Sequence, residues 1–299
     1  MKKRVIAVGF FDGVHKGHKA LTDKVLEKAK EKNCISTVFT FSKHPDTVVL
    51  KKEIPMLCSI DAREDHIKQY SGVDEVIFWD FNEEHAKIIW DTFVKDVLIN
   101  EFNACHIVTG ADFIFGYKGC GNAEKLEKLC MEQNIGYDKI DEVFIENERV
   151  SSTNIRKFIE KGDIKKANHL LGHNFLVSGE VKHGRKIGRT IGVRTINLDF
   201  PKNMQKPANG VYVSCVTIDE KKYKAVTNVG TVPTFLEDEN IVVEAHILDF
   251  DEDVYGKIAT VEFLDFLRYE KKFADIDDLK NTINENINQT IEYFKEHKL

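Results

Sequence analysis

The sequence predicts two domains: an α/β domain built on a parallel sheet, followed by an antiparallel β domain that ends in a helix. Two observations lead to this fold class. Short β-rich runs alternate with helical patterns in the first half, whereas the second half is dominated by β-rich runs separated by Gly, Pro and Asn. The chain has 299 residues, 42% of them hydrophobic and 31% charged. This composition is typical of globular domains, and the length allows two of ordinary size.

In the first half, each predicted strand is a short apolar run, and each predicted helix has apolar residues three or four positions apart. Leu21, Val25 and Ala29, for example, share one face of the first helix. Strands that alternate with helices pair in parallel, because each helix carries the chain back to the start of the next strand. The predicted strands are Val5–Phe11, Ile35–Phe41, Glu75–Trp79, His106–Gly110 and Asp138–Ile145, and the helices are Gly17–Lys32, Arg63–Tyr70, Thr92–Ile99 and Ala123–Gln133.

The pattern changes near Gly172, so we expect one domain over residues 1–172 and another over 173–299. Two short helices, Asn154–Glu160 and Ile164–Leu171, precede this boundary. The runs after it predict an antiparallel sheet or a small barrel. They are Phe175–Val181, Val211–Ile218, Tyr223–Asn228, Ile241–Leu248 and Ile258–Leu267. The tail Asp277–Lys298 predicts one amphipathic helix, with Leu279, Ile283, Ile287, Ile291 and Phe294 at helical spacing.

Charge and composition limit the classes of function. The net charge of −6 argues against a nucleic-acid binder that relies on bulk positive charge, whereas a nucleotide site needs only a few local donors. No apolar stretch approaches the length of a membrane span, and Gly9 and Asp12 interrupt the first apolar run, which predicts a strand rather than a signal peptide. Six scattered cysteines without a CxxC pair predict reduced thiols. We therefore expect a cytoplasmic protein with small-molecule partners, without nucleic acid or membrane, and with weak homo-oligomerisation left open.

The first predicted strand runs directly into Gly-Phe-Phe-Asp-Gly-Val-His-Lys-Gly-His, residues 9–18, and a helix follows. Glycines at a strand-to-helix turn let the backbone approach a ligand closely, and the free N–H groups of a helix start attract phosphate. His15 and His18, on either side of Gly17, can both donate to phosphate oxygens there. Taken alone, they are also compatible with ordinary turn residues. A zinc pair is a weaker alternative, because no nearby side chain completes a ligand set.

Three further segments point to the same edge of the sheet. Phe-Ser-Lys-His-Pro, residues 41–45, follows the second strand, and Gly-Ala-Asp-Phe-Ile-Phe-Gly, residues 110–116, follows the fourth. The carboxyl ends of parallel strands share one edge, where such sheets bind ligands. Ser-Ser-Thr-Asn-Ile-Arg, residues 151–156, opens a later helix with hydroxyls and a guanidinium. Alone it reads as a helix cap, but together these loops predict one nucleotide site.

In this order, the four segments resemble the adenylyltransferase module of bacterial bifunctional riboflavin kinase/FMN adenylyltransferases. The resemblance covers the first half of the chain and implies a nucleotidyltransferase-type fold with ATP at the turn. It implies that FMN attacks the α-phosphorus of ATP and that pyrophosphate leaves, with Mg²⁺ assisting. The residues implied to bind ATP or its phosphates are Gly9, Asp12, His15, Gly17, His18, Ser152, Thr153 and Arg156, and those implied to lie near the flavin are Asp112, Phe113 and Phe115.

The second half carries a basic, glycine-rich segment, residues 184–192, followed by Thr195-Ile196-Asn197. With the later segments Val243–Phe250 and Phe266–Phe273, it resembles the flavokinase module of the same enzymes. The resemblance implies a six-stranded antiparallel barrel with a C-terminal helix, which phosphorylates riboflavin. It implies Gly184 and Lys186 at ATP, Thr195 and Asn197 at Mg²⁺, Glu244 as the base for the riboflavin hydroxyl, and Arg268 near the flavin.

Several positions depart from the flavokinase pattern, including Val193 and residues 173–175, and two positions beyond the linker change a charge. Arg194 replaces a proline beside the metal segment, and Val232 replaces an arginine. Three hypotheses follow. The first is a bifunctional enzyme that makes FMN and FAD. The second is an FMN adenylyltransferase with a degenerate barrel, which these departures favour. The third, a non-enzymatic flavin sensor, predicts loss of the phosphate-binding residues at the turn, yet His15 and His18 are present.

Overall fold

The computed structural model describes residues 2–59, 62–184, 192–232 and 240–298. The chain divides into two compact units. The first comprises Met1–Met56 and Ile60–Ser152, and the second comprises Leu57–Ser59 and Thr153–Leu299.

The first unit is organised around a five-stranded parallel sheet in the order β3-β2-β1-β4-β5, which confirms the predicted fold class. The strands are β1 Arg4–Val8, β2 Ile35–Phe41, β3 Glu75–Trp79, β4 Ala104–Gly110 and β5 Gly136–Ile140. Strand β1 pairs in parallel with β2 on one side and with β4 on the other. The strand order therefore reverses between β1 and β4, and the carboxyl edge at such a reversal is where open α/β sheets bind ligands.

Helices cover both faces of this sheet, because successive side chains of each strand point to opposite faces. Ile6 and Val8 pack into one core with residues such as Leu98 and Ile107. Val5 and Ala7 pack into the other with residues such as Val25. The helices are α1 Lys16–Lys32, α2 Pro45–Leu50, α3 Arg63–Ser71, α4 Trp90–Thr92, which continues as the π-helical segment Phe93–Glu101, and α5 Ala123–Glu132.

The predicted strand Asp138–Ile145 is wrong in its second half. Strand β5 ends at Ile140, and a separate hairpin pairs β6 Phe144–Ile145 with β7 Glu148–Arg149. Glu146 and Asn147 between the two short strands have φ of 49° and 66°. Two successive left-handed residues are the geometry of a tight hairpin turn, so the chain reverses here instead of extending the parallel strand.

The second unit contains a nearly closed six-stranded antiparallel barrel in the order β8-β13-β10-β11-β12-β9, as the resemblance implied. Its strands are β8 Phe175–Glu180, β9 Ile196–Asp199, β10 Gly210–Ile218, β11 Lys221–Val232, β12 Asn240–Ile247 and β13 Ile258–Tyr269, and its helices are α6 Ser152–Glu160, α7 Ile164–Leu171 and α8 Ile276–Glu296. The first and last strands of the order approach each other, since the backbone N–H of Lys182 donates to the carbonyl of Asn197 at 2.8 Å. Helix α7 packs on the barrel through Asn168, whose side chain donates to the Phe263 carbonyl at 2.8 Å.

The C-terminal helix forms as predicted, but its most buried stripe lies one position beside the predicted apolar stripe and shares Phe294 with it. Its buried residues are Thr282, Asn286, Thr290 and Phe294, whereas Ile291 is 37% exposed. Phe294 anchors the helix in an apolar cluster with Val213, Cys215 and Leu264. Asn286 can be buried next to it because its Oδ1 accepts a hydrogen bond from Arg268 Nε at 3.0 Å, a partner that helical periodicity does not reveal.

Candidate functional site

The turn after β1 has an unusual backbone. Phe11, Gly13 and Val14 have φ of 56°, 75° and 41°. Glycine adopts such angles readily, but a β-branched valine does not. Phe11 and Val14 are held in place by burial, with 0% and 2% of their surface exposed. Strain of this kind persists where the surrounding structure enforces it, and it is concentrated at functional sites.

The two histidines of this turn are stacked on each other. Their ring centroids lie 3.7 Å apart with an interplanar angle of 10°, and Phe11 packs against His18 at 4.8 Å. His15 caps helix α1, because its Nδ1 accepts the backbone N–H of His18 at 3.2 Å. A neutral His15 therefore carries its proton on Nε2 and can donate from there.

Burial, and then the neighbouring His15, hold the pKa of His18 well below its ordinary value of 6.5. The imidazole is therefore neutral at pH 7 and carries one N–H. Its Nδ1 is buried and has no hydrogen-bond partner within the described part of the chain. A buried polar atom without a partner is costly, so its presence suggests a ligand that would supply one.

Ser152, the last residue of the first unit, lies beside the histidine turn. Ser152 Oγ donates to the Asp12 carbonyl at 3.1 Å. At Gly17, a Cβ atom would lie 3.1 Å from the His15 ring and 3.6 Å from the Val150 carbonyl. The structure thus brings Asp12, His15, Gly17 and Ser152 together, and their role at a phosphate stays a prediction.

Two other predicted phosphate-binding residues lie further along α6. Thr153 is exposed in the first turn of the helix, and Arg156 is half-buried about one turn later. Both belong to the second unit. Their approach to the imidazoles therefore stays a prediction.

A large apolar cleft opens at the same carboxyl edge of the sheet, within the first unit. Its volume is about 790 Å³, within the range of small-molecule sites. Gly9 and Phe10 line it and also belong to the histidine turn. The predicted flavin residues Phe113 and Phe115 line it too, with their rings stacked at 5.0 Å and 15°. The remaining aromatic and histidine lining is Phe41, His44, Trp79, Phe81, His85, Phe93 and Tyr117.

The third predicted flavin residue, Asp112, does not line this cleft. Its carboxylate accepts from Arg149 Nη2 at 2.5 Å, and the same nitrogen also pairs with Glu142 Oε1 at 2.8 Å. Arg149 lies on strand β7. The ion pair therefore links the hairpin to the loop after β4. The role of Asp112 near the flavin stays a prediction.

Sequence reasoning missed Trp79 and His85. Their rings stack at 4.2 Å with an interplanar angle of 20°, and both line the cleft. The signal was available: His85 follows strand β3, just as the recognised loops follow β1, β2 and β4. Loops at the carboxyl edge of a parallel sheet share one site, so the loop after β3 is expected to contribute residues to it.

In the second unit, the predicted base Glu244 lies in a row of three polar residues. Glu244 on β12 is directly opposite Asn197 on β9 and Asn228 on β11. Directly opposite residues of an antiparallel pair share a face, with Cβ atoms about 4.5–5.5 Å apart. The residues on either side of Glu244, Val243 and Ala245, are buried, so the row lies on the outer face of the barrel.

The predicted metal residues lie at one end of this row. Asn197 is only 9% exposed, and a Cβ atom on Gly184 would lie 2.4 Å from its Nδ2. The backbone at Gly184 therefore covers the Asn197 side chain. Thr195, two positions earlier, lines a cavity of about 210 Å³ together with Arg194, Phe250 and other residues. Lys186 lies outside the described residues.

Arg194, which departs from the flavokinase pattern, makes defined contacts. Its Nη1 pairs with a carboxylate oxygen of Asp251, and its carbonyl accepts from His246 Nδ1 at 2.7 Å. The side chains of Arg194 and Asp251 remain 62% and 80% exposed, so the pair contributes little to stability. Val232, the second departure, has a side chain outside the described part of the structure.

The predicted flavin residue Arg268 is bound to the C-terminal helix. Besides its bond to Asn286, its Nη1 donates to the Tyr269 carbonyl at 3.1 Å. Burial lowers the pKa of Arg268 from its ordinary value. Since an arginine begins far above neutral pH, it remains charged, and its role at the flavin stays a prediction.

No group of three or more His, Cys, Asp or Glu side chains in the described residues is arranged to hold a metal ion. Among the same residues, no helix combines the length and apolar character of a membrane span.

These two units define a class: an α/β nucleotide-binding unit of the nucleotidyltransferase type, followed by a flavokinase-type barrel. Residues 1–154 match the family model described as FAD synthetase, and residues 171–294 match the one described as riboflavin kinase. A bifunctional riboflavin kinase/FMN adenylyltransferase of Pseudomonas fluorescens is 33% identical, over 95% of this chain and 90% of that protein. One of Bacillus subtilis is 31% identical, over 98% and 93%. The chain belongs to the family of bifunctional riboflavin kinase/FMN adenylyltransferases.

A solved structure from Streptococcus pneumoniae has the same fold over nearly the whole chain. It superposes with a TM-score of 0.88 and is 32% identical, covering 97% of this chain and 94% of that one. That protein is described as a macrolide-efflux protein.

Proposed function

We propose that this chain is a transferase with two activities: it phosphorylates riboflavin with ATP to give FMN, and it transfers the adenylyl group of a second ATP to FMN to give FAD and pyrophosphate. The observation that carries the second activity is the continuity of the aromatic cleft with the histidine turn through Gly9 and Phe10. A flavin ring bound in the cleft would have its phosphate end next to donors suited to a triphosphate.

In adenylyl transfer, an FMN phosphate oxygen attacks the α-phosphorus of ATP, and the bond to the pyrophosphate oxygen breaks. No protein nucleophile is needed, so catalysis consists of positioning the reactants and neutralising developing charge. His15 and His18 are fixed by stacking and capping, and as neutral imidazoles each has one N–H to donate. Donors fixed in advance stabilise the transition state without reorganising.

In the kinase reaction, the riboflavin hydroxyl attacks the γ-phosphorus of ATP, and ADP leaves. Glu244 would accept the hydroxyl proton, since an alcohol is a poor nucleophile until a positioned base removes its proton. The oxygens of Thr195 and Asn197 are suitable ligands for Mg²⁺, a hard cation that binds oxygen, and Mg²⁺ there would neutralise phosphate charge. The row Asn197–Glu244–Asn228 is consistent with this placement of base and metal ligand.

The alternative of an adenylyltransferase with an inactive barrel has one observation in its favour. Arg194 stands directly before Thr195, and its guanidinium is drawn to Asp251 rather than free for a phosphate. An exposed pair of this kind exchanges partners at low cost, so we favour two activities.

Product analysis tests the proposal directly. Purified protein is incubated with riboflavin, ATP and Mg²⁺, and the products are separated by chromatography. We expect FMN first and then FAD. FAD formed from added FMN, with no FMN formed from riboflavin, would establish the adenylyltransferase-only alternative. If neither FMN nor FAD is formed, both enzymatic hypotheses are wrong.

The metal, the cellular location, the partners and the division of the two activities between the domains are proposals as well. We propose Mg²⁺ as the metal that accompanies ATP, a cytoplasmic location where these substrates are available, and no nucleic-acid partner. We also propose that residues 1–172 carry adenylyl transfer and residues 173–299 the kinase reaction. Weak homo-oligomerisation remains open, and sedimentation at several protein concentrations would test it.

A further inference from the structure

The aromatic pair Trp79–His85 is the feature of the cleft that the reaction chemistry leaves unexplained. Neither residue belongs to the recognised motifs, yet the two rings are stacked at 4.2 Å and line the cleft. His85 begins a short helical turn, His85–Lys87, and its backbone N–H donates to Asn82 Oδ1 at 3.0 Å. Both the ring and the backbone of His85 are therefore fixed.

The tautomer of His85 follows from one contact. Its Nδ1 lies within hydrogen-bond distance of the Asp80 carbonyl, which can only accept. Nδ1 therefore carries the proton, and in the neutral ring Nε2 is an acceptor. No hydrogen bond to this Nε2 is present among residues 2–59, 62–184, 192–232 and 240–298.

Few other side chains of the cleft can act as the hydrogen-bond acceptor. His44 has the opposite tautomer, because its Nδ1 accepts the backbone N–H of Asp46 at 3.2 Å, so its Nε2 carries the proton. The lysines of the lining donate and cannot accept. The carboxylates of Asp46 and Glu83 can accept, but their side chains are 53% and 73% exposed and compete with water. His85 is the half-buried acceptor beside an aromatic surface.

We propose that His85 determines specificity for the flavin ring, by accepting the imide N3–H of the isoalloxazine through Nε2 while Trp79 supports the imidazole. This inference rests on the proposed adenylyl transfer to FMN. The imide N–H is the ring donor that distinguishes a flavin from a planar apolar molecule of similar size. A site built to accept a donor rejects an analogue that lacks it, because the acceptor is then buried without a partner.

The test compares FMN with N3-methyl-FMN, which lacks the donor. For the wild-type protein we expect kcat/KM for FAD formation to be lower by about 10-fold or more with the methylated substrate, and we expect a matching change in Kd from flavin fluorescence. His85→Phe keeps a ring on Trp79 but has no acceptor, so the ratio between the two substrates should fall toward one. His85→Gln has a carbonyl oxygen that can accept, so it should restore part of the ratio.

Glu83→Ala is the matched comparison, because it removes the exposed acceptor instead. The inference is overturned if His85→Phe keeps the wild-type ratio, or if Glu83→Ala abolishes it. In both cases wild-type FAD synthesis from FMN stays intact, so the proposed function survives. If wild-type protein neither binds nor adenylylates FMN, the proposed function itself is wrong, and the inference falls with it.

Discussion

Replacing His18 with alanine is the most direct perturbation of the adenylyl-transfer site. The side chain lies between the His15 ring and the Phe11 ring, at 3.7 Å and 4.8 Å between centroids. The backbone N–H that His15 accepts is unchanged by the substitution, so the cap on helix α1 is retained. The substitution therefore removes one donor and two ring contacts without disturbing the start of the helix.

The magnitude follows from these contacts. Loss of one preorganised donor at a charged transition state lowers kcat by about 100- to 1,000-fold, which corresponds to about 3–4 kcal/mol. Each lost ring contact costs about 0.5–1.5 kcal/mol of stability. Removing a buried nitrogen without a partner returns about 1–3 kcal/mol. The cost and the return are similar in size, so the free energy of unfolding should change by no more than about 2 kcal/mol in either direction.

The assay measures FAD and pyrophosphate formed from FMN and ATP by purified His18→Ala protein, together with its unfolding in urea. FMN formation from riboflavin is the internal control, since the kinase reaction is assigned to the other unit. His297→Ala, an exposed histidine on the last turn of the chain, is the surface control. Near-normal FAD synthesis by the His18 variant, with a normal unfolding curve, would refute the donor role and with it the proposed site.

Three further predictions concern the kinase base, the packing of the sheet and the response to acid. Glu244→Gln should lower the rate of FMN formation by about 100- to 10,000-fold, while FAD formation from added FMN is unchanged, as product chromatography would show. Gly136→Ala would place a Cβ atom 2.0 Å from His106 Nδ1, and we expect a loss of about 1–3 kcal/mol in urea unfolding. Burial lowers the pKa of both His18 and His106, so the unfolded chain binds protons first as pH falls below about 6.5. The free energy of unfolding should therefore decrease between pH 6.5 and 5, and a flat profile over that window would contradict the assigned shifts.

The structure bears on whether Arg194 inactivates the kinase site. The residue adds a positive charge directly before Thr195, at the small cavity of the barrel. Its partner Asp251 is on the same rim and is largely exposed. The charge is therefore neither buried nor locked in place, and the departure from the flavokinase pattern leaves Glu244 and Asn197 in register. This is the physical reason for expecting both activities.

The sequence by itself determined the class of each half and the segments that form the sites. Periodicity identified the parallel strands, because burial on both faces of a strand leaves a continuous apolar run. The turn at residues 9–18 was recognisable as part of a nucleotide site because it occurs together with the segments at 41–45, 110–116 and 151–156. Such runs and turns are formed by residues that are neighbours along the chain, so one sequence is enough to identify them.

The tertiary structure alone decided which distant residues meet. The stack of His85 on Trp79, the Ser152 bond to Asp12 and the pairing of Asp112 with Arg149 join residues that are apart along the chain. The same holds for Asn286 of the C-terminal helix, which is buried because Arg268 on a strand supplies a partner. Such contacts depend on strand order and register, and these are set by packing of the whole domain rather than by any local pattern.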